Sequence, residues 1–125
     1  MALTVKSNEK GPGVFVILAI GSLDTNTYQV LDEEVNSLLE KSAKMIVFDM
    51  EYLDYISSAG ISVILRARKG LKKQNGEVMM VNLQPQIKKV FEIIKALPSQ
   101  GIFKNIQELD DYLDTMQKKA LQGDD

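Results

Sequence analysis

A chain of 125 residues with 45% hydrophobic and 26% charged residues is long enough for one domain with its own core and too short for two. It contains no His and no Cys, which excludes disulfides, thiolate metal centres and the commonest general base. A net charge of −2 with basic and acidic residues interspersed argues against direct nucleic-acid binding, and no apolar run is long enough to span a bilayer, so a cytoplasmic protein without a membrane partner is expected.

Thr4 to Ser7, followed by a Gly/Pro turn over 8–13, reads as a first strand, and Val14 to Ile20 as a second that Gly21 ends; the two should form a hairpin. The polar cluster Asp24-Thr25-Asn26-Thr27 offers caps for a helix to about Lys41, with Tyr28, Leu31, Val35 and Leu38 as its buried stripe. Met45 to Met50 is apolar on both faces, as a strand covered on both sides of a sheet should be. A helix then runs from about Ser58 to Asn75-Gly76, where Gly can close it in the left-handed conformation. Its expected apolar face is Ile61, Ile64, Leu65 and Leu71. Glu77 to Asn82 is a further strand, and Pro85 starts a helix carrying Ile87, Val90, Phe91 and Ile94. Leu97 to Gly101 breaks it, Ile102-Phe103 offers a brief fifth strand, and Ile106, Leu109, Leu113 and Met116 mark a last helix before a polar tail.

This order implies an α/β fold: one domain over 1–125, with a core of about 4–121 and a mixed four- to five-stranded sheet under about four helices. Loops at the carboxyl ends of parallel strands tend to carry function. That rule brings the loop with Asp24 near the loop with Asp54, Ser57 and Ser58. The two serines open a helix, where unpaired N–H groups and a partial positive charge favour negative charge. They therefore read either as N-caps, worth about 1 kcal/mol, or as a phosphate position, where the phosphate gains at most about 2 kcal/mol from the helix end.

Other chemistries are weaker. Asp24, Asp49, Glu51 and Asp54 lie near strand ends and could be imagined around magnesium, but their spacing matches no binding loop, and solvated or capping acids are the plainer reading. A nucleophilic Ser58 lacks a His base and any hydrolase frame. No Gly-rich phosphate loop is present, so no cofactor is expected. Lys69, Lys72, Lys73, Lys88 and Lys89 read as solvated helix faces.

The segment Leu53-Asp54-Tyr55-Ile56-Ser57-Ser58-Ala59-Gly60-Ile61 resembles the signature of STAS domains, the group that contains bacterial anti-sigma factor antagonists. Gly21-Ser22-Leu23-Asp24 resembles that family's Gly-x-Leu-Asp turn, and the likeness extends from about Thr4 to Leu113. The resemblance implies that Ser58 is the phosphoacceptor, with Ser57 second. It also implies a partner surface of Asp24, Asp54, Tyr55, Ser57, Ser58, Ala59, Gly60 and Ile61. Ser57 stands where the family usually carries Asp, and it supplies hydrogen bonds but no charge. The implied activity is non-enzymatic. The unmodified protein would bind an anti-sigma factor serine/threonine kinase and free the sigma factor, Ser58 phosphorylation would release the kinase, and a serine phosphatase would reset the switch. The alternative is a constitutive STAS adaptor for a transporter or signalling complex, with the serines as plain caps.

Overall fold

A computed structural model describes residues 2–96 and 103–123. Strand β1 (Leu3–Gly11) and strand β2 (Val14–Leu23) form the antiparallel hairpin, from Leu3 opposite Gly21 to Gly11 opposite Val14. β2 does not stop at Gly21. That residue takes φ +114, and a Cβ there would lie 2.3 Å from the Ala2 carbonyl oxygen, so glycine lets the strand bend past the chain start and continue to Leu23.

Strand β3 (Met45–Asp49) runs parallel to the first half of β2, and a strand absent from the sequence reading, β4 (Leu53–Ile56), runs parallel to its second half. Because β1 occupies the other edge of β2, β3 and β4 lie end to end along one edge, interrupted over Met50 to Tyr52. Gly21 N donates to Tyr52 O at 2.9 Å, and Ser57 N to Leu23 O at 2.9 Å, which carries the pairing up to the serine loop. Strand β5 (Glu77–Val81) pairs parallel with β3, giving the order β1-β2-β3-β5 with β4 beside β2. The fifth strand is thus β4. The one expected at Ile102-Phe103 lies partly outside the described residues, and Phe103 sits in a bend, its ring 5.5 Å from that of Tyr112.

Helix α1 (Tyr28–Glu40) buries Leu31, Val35 and Leu38, with Tyr28 half-buried. Helix α2 (Ser58–Lys72) buries Ile61, Val63, Ile64, Ala67 and Leu71. Leu65, expected on the inner face, is half exposed, because the true stripe is shifted toward Val63 and Ala67. After α2 the left-handed residue is Asn75 (φ 59) rather than Gly76. Asn reaches that region more readily than other side chains. Helix α3 (Pro85–Ala96) buries Ile87 and Val90. Helix α4 (Ile106–Leu121) packs on α3 and touches α2.

Candidate functional site

The core first fixes the ends of β2 and β4. Leu23, Leu53 and Ile56 are fully buried, roughly 1.5–3 kcal/mol each. The first turn of α2 rests directly on them at Gly60, where a Cβ would lie 2.6 Å from Leu23 Cγ and 2.9 Å from Ile56 Cγ1. Gly60 therefore sets how closely the serine-bearing helix start approaches the sheet.

β4 pairs with β2 on one side only, and its free edge is covered by side chains. Gln117 of α4 accepts from Ile56 N at 3.1 Å through Oε1 and donates from Nε2 to Ile56 O at 2.9 Å. Gln86 of α3 donates to Asp54 O at 3.1 Å. The Gln117 amide thus acts as a one-residue strand partner, satisfying groups that would otherwise be buried and unpaired. It also fixes the face that α4 turns toward the serine loop.

On that face, two turns before Gln117, stands Asp110. Its Oδ1 accepts from Ser58 N at 2.8 Å and its Oδ2 accepts from Ser58 Oγ at 2.9 Å. The cap of α2 therefore comes from another helix, and neither serine caps it. Ser57 holds the N-cap position with extended backbone but makes no side-chain cap; its hydroxyl is buried without a hydrogen-bond partner among the described residues. The anion position expected to be open at the start of α2 is already filled by a carboxylate.

Asp24 does not cap α1 either. Its Oδ1 accepts from Asn26 N at 2.9 Å and from Thr27 Oγ1 at 3.2 Å, and its Oδ2 accepts from Ser22 Oγ at 3.4 Å, an Asx-type turn. The fold brings Asp24, Asp110, Asp111 and Asp114 around one cleft with Tyr55 and Ser57 on its wall. Burial, then the charges of Asp114 and Asp110, a hydrogen bond to Asp114, and Asp24 push the Tyr55 phenol up to about 12, since each disfavours a phenolate.

Of the residues singled out from sequence, Asp24, Tyr55 and Ser57 line this cleft and Ser58 is hydrogen-bonded to its Asp110 wall. Asp54 is exposed on β4 and Ala59 is half-exposed. Gly60 and Ile61 lie in the interior, where they seat α2. Asp49 accepts from Asn82 Nδ2 at 3.1 Å and from Glu51 N at 3.2 Å, which orders the β3–β4 break. Among the described residues no group of three or more acids is placed to hold a metal. Asp110, Asp114, Gln117 and Gln86 were not singled out from sequence. The available signal was the spacing of Asp110, Leu113, Asp114 and Gln117, one helix face. Its polar members read as solvent positions, whereas Ile106, expected inside, is exposed.

The STAS domain model matches residues 6–109. A protein of Bordetella bronchiseptica named as the anti-sigma factor antagonist BtrV is 33% identical over 85 residues, covering 68% of this chain and 73% of its own. The fold is similar to that of an anti-sigma factor antagonist from Mycobacterium paratuberculosis, with a TM-score of 0.66 and 20% identity over 92% of this chain and 94% of that one. It is also similar to the antagonist SpoIIAA in its unphosphorylated form, with a TM-score of 0.63 and 18% identity over 89% of this chain and 98% of that one.

Proposed function

Because this chain belongs to the STAS domain family, we propose that it is an anti-sigma factor antagonist switched by phosphorylation of Ser58. In its unmodified form it binds a serine/threonine kinase that is also the anti-sigma factor, and so frees the sigma factor. Modification ends that interaction, and a serine phosphatase restores it. The similarity to BtrV supports the class of activity. The observation that carries the residue assignment is the contrast between the serines: Ser58 is a half-buried residue whose hydroxyl is held by a carboxylate, whereas Ser57 Oγ is buried.

In the modification, a bond forms between Ser58 Oγ and the γ-phosphorus of ATP as the bond to the ADP oxygen breaks. The hydroxyl proton passes to a base in the kinase complex. The phosphatase then transfers the phosphoryl group to water and regenerates the hydroxyl. A phosphate adds a charge of about −1.5 to −2. Placed ~6 Å from a partner carboxylate at an effective dielectric near 20, it costs about 4–5 kcal/mol, and every 1.4 kcal/mol is about tenfold in affinity. The cleft aspartates add to this effect, since they already make the surface hostile to further negative charge.

A second reading, a constitutive adaptor, is favoured by one observation: the Ser58 hydroxyl already has a structural role in its bond to Asp110. Incubation with the cognate kinase and ATP, a phosphate-sensitive gel and peptide mapping separate the two. Modification at residue 58 that disappears in Ser58→Ala supports the switch. No modification, or modification confined to Ser57, replaces it with the adaptor.

A further inference from the structure

The Asp110 carboxylate lies where the oxygens of a phosphate on Ser58 would go. Oδ2 is 2.9 Å from Ser58 Oγ, and Oδ1 takes the N–H of the same residue at 2.8 Å. At that separation no phosphoryl group fits between the hydroxyl and the carboxylate, and the hydrogen that Ser58 now donates is the one phosphorylation removes. The product would place a phosphate against Asp110, with Asp114 and Asp111 on the same cleft wall, so donor–acceptor attraction becomes repulsion between like charges. The Ser58 N–H has one strong position for an anion, and two anions would compete for it.

We propose that Asp110 is the resident anion of the Ser58 site, and that phosphorylation of Ser58 evicts it and undocks the first half of α4 from α2. This rests on Ser58 being the phosphoacceptor. Asp110 is a positioning residue: it acts on the acceptor hydroxyl by orienting it. The far half of α4 has separate anchors in buried Leu113 and in the Gln117 pairing with Ile56, so release is confined to the segment before them. Ile106 is exposed, and the start of α4 is held by local hydrogen bonds, Glu108 N donating to Asn105 Oδ1 and Lys104 N to Glu108 Oε1. Asp110 ties that segment to the start of α2 by two hydrogen bonds, and Leu109 adds a partly buried apolar contact with the core. The partner switch would then have two parts, a new charge at Ser58 and a moved helix beside it.

The test installs phosphoserine at position 58 during translation, which bypasses any kinase, and follows amide hydrogen exchange in the full chain. A helix that loses its docking partner loses local stability, which exchange reports. Protection over residues 106–112 is expected to fall at least tenfold on phosphorylation, with β2 unchanged as the measure of an intact fold. Asp110→Asn keeps an acceptor for Ser58 N but removes the charge, and in that background the phosphate-induced fall should shrink to less than threefold. An unchanged exchange pattern in the phosphoserine protein overturns the proposal, and so does an equal fall in the Asp110→Asn background. The kinase assay is independent. Modification by the kinase with α4 still protected refutes this inference alone, and release of α4 by installed phosphate without kinase modification refutes the phosphorylation switch alone.

Discussion

Gln117→Leu isolates the contact that orients α4 over the serine loop. Gln117 and Ile56 are both buried, and the substitution strips the Ile56 N–H and C=O of partners at 3.1 and 2.9 Å. Each buried backbone group left unpaired costs about 1–3 kcal/mol. Leucine has similar volume and regains roughly 1 kcal/mol by burying apolar surface, so the net loss should be about 1–5 kcal/mol, centred near 3. For a domain of this size that lowers the melting temperature by about 10 °C. Urea unfolding followed by circular dichroism measures it, with an unchanged slope against denaturant showing that the folded and unfolded states keep their relative compactness. Exchange at the Ile56 amide should rise in parallel. Stability within about 0.5 kcal/mol of wild type, inside the range of ordinary surface substitutions, would refute the reasoning that this side chain stands in for a neighbouring strand.

Asp24→Asn keeps the acceptor for Asn26 N while removing charge, so melting should stay within about 3 °C of wild type while kinase binding or phosphorylation weakens; a large stability loss with unchanged binding would assign Asp24 to the turn alone. Gly60→Ala should destabilise by about 1–3 kcal/mol, the range for overpacking, because the new Cβ collides with Leu23 and Ile56; equilibrium unfolding that shows no loss would mean the helix start can lift off the sheet at no cost. Burial and the cleft carboxylates push the Tyr55 phenol from its ordinary 10.0 up to about 12, so the stabilisation it gives is fully present below pH 10 and is lost as pH rises toward 12. Wild type should accordingly lose stability relative to Tyr55→Phe across that alkaline window, and a constant difference between the two would contradict the raised pKa.

The hairpin, the alternating helices and the strand at Met45 were legible because burial follows simple periods there. β4 was not, since a strand of four residues with exposed Asp54 in it has too little alternation to separate from a loop, and its pairing depends on the bend at Gly21. The site was legible on the side of its local motifs: Asp24, Tyr55 and Ser57 do share one cleft, with Ser58 beside it. Its other wall was hidden. Asp110 and Gln117 lie 52 and 61 residues from their partners, and an acid or an amide on an amphipathic helix is ordinarily solvated. The same nonlocality defeated the capping argument: a serine before a helix suggests a cap, but an aspartate from another helix had taken the N–H.

The central claim is that charge at Ser58 switches partner binding, and the most direct measurement is a binding titration of the cognate anti-sigma factor kinase against three folded forms: unmodified protein, protein carrying phosphoserine at residue 58, and Ser58→Ala as the uncharged control. The electrostatic cost worked out above predicts that phosphoserine weakens binding by at least a hundredfold, with Ser58→Asp losing less because it carries less charge, while Ser58→Ala stays within about tenfold of the unmodified protein, the scale of one lost hydrogen bond. Equal affinity of the phosphorylated and unmodified forms, with both shown to be folded, would contradict the account.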